Sequence, residues 1–154
     1  MSLEVRRAAP DDLAALLELV QAHAAFERAR PPAATRAGLD AALFERSAAP
    51  AHLLAWIAAR GDTAIGYLTA TRDFSTWRCA PFLHMDCLYV AEGHRSDGVG
   101  ASLFAALLDF ARDARIDEIQ WQTPHWNHRA ARFYRRLGAT GVGKLRFRYS
   151  PPGI

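Results

Sequence analysis

The chain has 154 residues, is 51% apolar and carries a formal net charge of +3. This length suits one domain with a core large enough to need neither disulfides nor a structural metal, and the mild basic excess is too small to mark a nucleic-acid binder. Cys79 and Cys87 are too few for a secreted disulfide framework, no leader-like apolar stretch follows Met1, and no run is apolar enough to span a membrane, which together predict a cytoplasmic protein with reduced thiols.

Leu3 to Ala8 reads as a first strand. Pro10-Asp11-Asp12 opens a helix, with Asp11 or Asp12 as its cap and Leu13, Leu16, Leu17 and Val20 as its apolar stripe, running to about Glu27. Pro31-Pro32 breaks the chain, and Thr35 caps a second helix carrying Leu39, Leu43 and Phe44. His52 to Ala59 and Ala64 to Thr71 read as strands joined by a turn at Gly61-Asp62. A loop, Arg72 to Pro81, leads to Phe82 to Val90, which is apolar on both faces as a central strand should be.

Ala101 to Ala114 has helical period. Ile116 to Thr123 is a strand, Asn127 caps a helix striped by Ala130, Phe133, Tyr134 and Leu137, and Gly138 ends it. Gly141 to Tyr149 is predicted as a closing strand. The order β-α-α-β-β-β-α-β-α-β predicts an α/β (α+β) domain over 1–154, with a central mixed sheet of about six to seven strands and helices on both faces.

The most informative stretch is Val90 to Leu103, VAEGHRSDGVGASL, in which a buried strand runs through a polar turn into a helix. Arg95, Gly98 and Gly100 fit Arg-x-x-Gly-x-Gly. The first amides of a helix lack intrahelical partners, the helix dipole favours negative charge, and glycines let a phosphate approach the backbone. No Lys follows Gly100, unlike the loop of nucleotide hydrolases, and Leu103 stands where a dinucleotide fingerprint needs glycine. The context suits a pyrophosphate; a glycine-rich turn that merely starts a helix is the plainer alternative.

Arg95 to Gly100 resembles the acetyl-CoA motif of the GNAT superfamily of N-acetyltransferases, with Ser96 where a glycine is usual. Trp126-Asn127-x-x-Ala130-x-x-Phe133-Tyr134-x-x-x-Gly138 is similar to its second motif. Phe26-Glu27, Phe74-Ser75-Thr76-Trp77, Leu83 to Val90 and Trp126-Asn127 are most similar to the spermidine/spermine and thialysine acetyltransferases. The resemblance implies a GNAT fold in which pantetheine fills an opening between the strands Phe82 to Val90 and Ile116 to Thr123. Backbone groups at Leu88 and Val90 would face acetyl-CoA, the amides of Arg95, Ser96, Asp97, Gly98, Val99 and Gly100 would hold its pyrophosphate, and Asn127 would lie near its arm.

Acetylating an amine requires removing its proton, because an ammonium with a pKa of about 10 has no lone pair at neutral pH. It also requires a donor for the developing oxyanion and a proton for the departing thiolate. By resemblance Tyr134 is the acid, although on its stripe it could equally be a core aromatic. Asp86 is the candidate base, standing where polyamine enzymes carry a glutamate. Its shorter side chain sets the carboxylate back by roughly 1.5 Å, which favours a bridging water. The alternative is a buried structural aspartate bonded to backbone amides.

Glu27 would bind the substrate's cation and Trp77 would wall the amine site with a cation–π face. Cys87 stands where polyamine enzymes carry an aspartate, which removes one attraction for a multiply charged amine. His125 and His128 are too few for a metal site, so none is expected. The arginines of the last helix read as a solvated face. The expected activity is transfer from acetyl-CoA to a primary amine of a small molecule (a diamine, polyamine or lysine-like amino acid) within a ternary complex, in a homodimer without nucleic-acid or membrane partners. A protein or peptide acceptor, or a non-catalytic acyl-CoA sensor, are the alternatives.

Overall fold

The computed structural model describes residues 1–29, 36–44 and 52–153. The Pro31-Pro32 break and the Thr35 cap lie outside them. The chain divides into two compact units, Met1–Gln122 and Thr123–Ile154.

The first unit is built on a five-stranded sheet in the order β1-β2-β3-β4-β5. The strands are β1 (Leu3–Arg7), β2 (Leu54–Arg60), β3 (Thr63–Ser75), β4 (Ala80–Val90) and β5 (Ile119–Trp121). The first four pair antiparallel, and β4 pairs with β5 in parallel. A parallel pair needs a crossover, supplied here by helix α3 (Val99–Asp113). The sheet is therefore mixed, as predicted, with five strands among the described residues.

Helices α1 (Leu13–Phe26) and α2 (Arg36–Phe44) cover one face, where Leu13, Leu16, Leu19 and Leu43 form a core with Ala55 and Tyr67. α3 covers the other face with Val99, Leu103, Leu107 and Ala111, at the spacing that puts side chains on one stripe. Burying each large aliphatic side chain contributes about 1.5–3 kcal/mol. On β3, Gly66 faces α3: a Cβ there would come 2.9 Å from the Tyr89 carbonyl oxygen and 3.3 Å from Leu103 Cδ1.

β4 carries an irregularity that alternation alone does not show. Cys87 pairs with Thr69 and Met85 with Ala70, so Asp86 is an extra residue, a β-bulge. Residues paired across strands share a face. Leu83 and Met85 pair with Arg72 and Ala70, and Leu88 and Val90 pair with Leu68 and Gly66, all on the α3 side; Cys87 and Tyr89 pair with Thr69 and Tyr67, on the α1 side. The bulge thus shifts the alternation by one at Asp86. Parallel pairing to β5 stops at the same place, with Met85 opposite Trp121.

The sequence places strand β5 over Ile116 to Thr123, and the structure shortens it to Ile119–Trp121. The reason is local. Arg115 turns left-handed (φ 56°), and the Ile116 amide donates to Ala111 O at 2.8 Å, closing α3 instead of extending a strand. The loop expected between Arg72 and Pro81 is mostly strand, since β3 and β4 stay paired out to Ser75 and Ala80.

The second unit contains α4 (His128–Arg136). Asn127 Oδ1 accepts the Ala130 amide at 3.1 Å, and Gly138 (φ 91°) ends the helix with Ala139 N donating to Tyr134 O at 3.1 Å. Cap and stop both agree with the sequence. The predicted final strand, Gly141 to Tyr149, is not formed: the segment is irregular, and Val142, Leu145, Phe147 and Tyr149 are each at least 80% exposed. A strand must satisfy its backbone on a neighbour, and none is paired to this segment among the described residues. No helix among them is long and apolar enough to cross a membrane.

Candidate active site

The α1 face of the sheet holds a cluster of polar and aromatic side chains around the bulge. His23 and Glu27 lie four positions apart at the end of α1, on one side of the helix, with His23 Nε2 3.3 Å from Glu27 Oε1. His23 Nδ1 lies 2.8 Å from the hydroxyl of Tyr67, which is fully buried. The imidazole stacks on Tyr89 with ring centres 5.0 Å apart. Burial holds His23 below its usual pKa and Arg95 adds to this, against the pull of the Glu27 and Asp86 carboxylates.

Asp86 is exposed on the bulge, so the reading as a buried structural carboxylate does not hold. The Cys87 thiol donates to Asp86 Oδ2 at 3.6 Å. Burial, followed by the Asp86 charge, pushes this thiol up to about 11, even though Tyr67 and Thr69 would stabilise a thiolate here. It is therefore neutral at physiological pH. The Arg95 side chain folds back toward this cluster. Its Nε donates to Val90 O at 2.8 Å, and its guanidinium lies 4.3 Å from the Phe26 ring centre and 5.5 Å from that of Tyr89.

Next to the cluster are two features that fit a CoA arm and its pyrophosphate. Beyond Met85, β4 has no β5 partner among the described residues, which leaves the backbone of Asp86 to Val90 open on that edge. At the end of β4 a short 3-10 turn, Glu92–His94, leads to the start of α3. There Ser96 (φ 76°) and Gly98 (φ 77°) are both left-handed, and α3 begins with no side-chain cap. The N-cap of α3 is Gly98, which has no side chain to accept from the first-turn amides, and a Cβ there would meet nothing within 4 Å. The left-handed backbone at Ser96 explains why glycine suits that position; serine holds it at about 1–2 kcal/mol of strain. Asp97, next to Gly98 in the loop, pairs with Arg60 at 3.3 Å.

Of the residues singled out from the sequence, the structure brings Glu27, Asp86 and Cys87 together, with Leu88, Val90, Arg95, Ser96, Asp97, Gly98, Val99 and Gly100 following along β4 and its exit loop. It does not bring Trp77 to them. Trp77 is 98% exposed at the hairpin tip, roughly 20 Å along the strand from Cys87 at ~3.3 Å per residue. Asn127 caps α4 with its side-chain oxygen, and Tyr134 is half-buried on α4 against Phe133, with ring centres 5.3 Å apart. No group of three metal-ligating side chains occurs among the described residues. Sequence reasoning missed His23, Tyr67 and Thr69. The available signal was a histidine in line with Leu13, Leu16 and Val20, on the buried stripe that ends at Glu27.

The sequence profile of the acetyltransferase (GNAT) family matches residues 17–139, which reach from α1 through α4. The chain belongs to this family. A D-amino-acid N-acetyltransferase, HPA3, from Saccharomyces cerevisiae is 32% identical over 84 residues, 54% of this chain and 52% of the yeast protein. A thialysine N-epsilon-acetyltransferase from Caenorhabditis elegans is 26% identical over 133 residues, 86% of this chain and 80% of that one. The chain thus spans about half the length of the yeast relative. The fold matches that of an aminoglycoside acetyltransferase from an uncultured soil metagenomic sample, with TM-score 0.79 and 19% identity over 97% of this chain and 95% of that one.

Proposed function

We propose that this member of the GNAT family transfers an acetyl group to the primary amine of a small molecule, such as a diamine, a polyamine or a lysine-like amino acid, directly within a ternary complex. The observation that carries the reading is the juxtaposition of the Glu27 and Asp86 carboxylates with the open edge of β4 and the glycine-capped start of α3. The two relatives named above, which act on thialysine and on D-amino acids, support an amino-acid acceptor within that range.

Acetyl-CoA supplies the activated acetyl group. The amides from Arg95 to Gly100 bind its pyrophosphate, backbone groups at Leu88 and Val90 line its arm, and Asn127 lies near it. Asp86 takes the ammonium proton, directly or through a water; being exposed, it can reach one. Glu27 attracts the cation, and Tyr134 protonates the departing thiolate. Cys87 adds no charge, because its thiol stays protonated. The carboxylates of Asp86 and Glu27 are further offset by Arg95, so the site suits one ammonium group better than a polycation. The protein acts as one acetyltransferase domain, in the cytoplasm and as a homodimer; the exposed Leu145, Phe147 and Tyr149 support burial against a second copy.

The test is thiol release from acetyl-CoA at pH 8 with spermidine, putrescine, lysine, thialysine, an aminoglycoside and a basic peptide. Turnover on a short amine is expected, with lysine-like acceptors ahead of spermidine. Silence across the panel with CoA binding intact by calorimetry would instead favour the sensor reading, and turnover on the peptide alone a protein acceptor.

A further inference from the structure

His23 is used by none of the motifs that mark the family, yet it sits at the centre of a continuous hydrogen-bonded chain. The polarity of that chain is set from its outer end. A carboxylate only accepts, so at Glu27 the His23 Nε2 must carry the hydrogen. In the neutral ring that burial favours, Nδ1 is then a bare acceptor, and the Tyr67 hydroxyl donates to it across 2.8 Å. Tyr67 is suited to this. It is fully buried, burial holds its phenol well above its ordinary pKa, and so it remains a hydroxyl donor at every pH at which the protein works. Stacking on Tyr89 and an edge contact with Tyr67, ring centres 5.8 Å apart, fix the plane of the imidazole.

We propose that His23 is a positioning residue for the acceptor: held by Tyr67 as the neutral Nε2–H tautomer, it grips one oxygen of Glu27 and leaves the other for the acceptor's ammonium. This rests on the amine-acetylation reading above. The neutral state matters because an imidazolium here would cancel Glu27 and repel the incoming cation. The groups facing His23 are Glu27 on its own helix, Tyr67 on β3, Asp86, Cys87 and Tyr89 on β4, and Arg95 in the exit loop. Tyr67 and Cys87 are uncharged, Arg95 opposes protonation, and the two carboxylates favour it.

The experiment combines long-range 15N–1H spectra at pH 7.5 with steady-state kinetics, using whichever of lysine, thialysine, putrescine and spermidine is turned over fastest. It compares wild type with His23→Phe, Tyr67→Phe, His23→Gln and the His23→Phe/Tyr67→Phe pair. The signals lost in His23→Phe assign the ring. The expected wild-type pattern is the Nε2–H tautomer, with the preference weakened in Tyr67→Phe. His23→Phe should raise the acceptor KM about tenfold, the lower end of what losing a hydrogen bond to a charged group costs, with acetyl-CoA KM and kcat little changed. His23→Gln, whose amide can donate to Glu27, should recover most of that loss.

If burying the unpaired Tyr67 hydroxyl unfolds His23→Phe, the double variant removes both partners and should show the same rise in acceptor KM. An Nδ1–H tautomer or an imidazolium at pH 7.5 overturns the proposal, as does a wild-type acceptor KM in His23→Phe or the double variant. Wild-type protein that turns over no amine sinks the acetylation reading, while its His23 tautomer still decides the polarity of the chain.

Discussion

Gly66→Ala sets two effects of known size against each other beside the site. The backbone at Gly66 is not left-handed, so alanine fits its conformation and lowers the entropy of the unfolded chain, a gain of about 0.4–1 kcal/mol. Against this, the new Cβ would stand 2.9 Å from Tyr89 O, 3.3 Å from Leu103 Cδ1 and 3.5 Å from Val90 Cα. The nearest atom is backbone, held in register by the pairing of Gly66 with Val90 and Tyr67 with Tyr89, so it cannot swing aside as a side chain would. Overpacking of this kind costs about 1–3 kcal/mol. The clash wins, for a net loss of about 1–2 kcal/mol and a fall in Tm of about 2–8 °C for a chain of this size.

The same displacement reaches function, since Val90 O anchors Arg95 and the open edge of β4 ends there. Acetyl-CoA affinity should therefore fall in parallel. Scanning calorimetry and isothermal titration of the variant measure both effects. A Tm equal to or above wild type would refute the reasoning, because it would mean that β4 yields freely at Tyr89 and is not a fixed wall of the site.

Tyr134→Phe should lower kcat at least a hundredfold while leaving acetyl-CoA affinity unchanged, measured by steady-state kinetics beside calorimetry; near-normal turnover would remove Tyr134 as the acid. In the native protein at pH 8, maleimide should label the exposed Cys79 and leave Cys87 largely untouched, because a thiol held at about 11 is only about one part in a thousand thiolate at that pH. Labelling of Cys87, followed by mass spectrometry, should speed up about tenfold per pH unit between 8 and 10; a flat profile would contradict the burial of its thiol.

What the sequence determined by itself was everything governed by neighbours within a few positions. Asn127 caps α4 and Gly138 stops it because the groups they satisfy lie within one turn. The two-residue turn at Gly61-Asp62 and the amphipathic stripe of α3 are local in the same sense. Motif spacing likewise marked the turn from β4 into α3, with Gly98 at the start of the helix.

Only the tertiary structure decided the rest. The chain His23–Tyr67 joins positions 44 apart, and nothing local marks a histidine on an apolar stripe as anything but core. The bulge at Asp86 depends on the register between β3 and β4, which reverses the facing that simple alternation assigns to Cys87 and Tyr89. The segment from Gly141 to Tyr149 has a strand's period but forms no strand. Periodicity expresses what a segment can bury; whether it becomes a strand depends on a partner for its backbone, and a sequence pattern does not carry the partner.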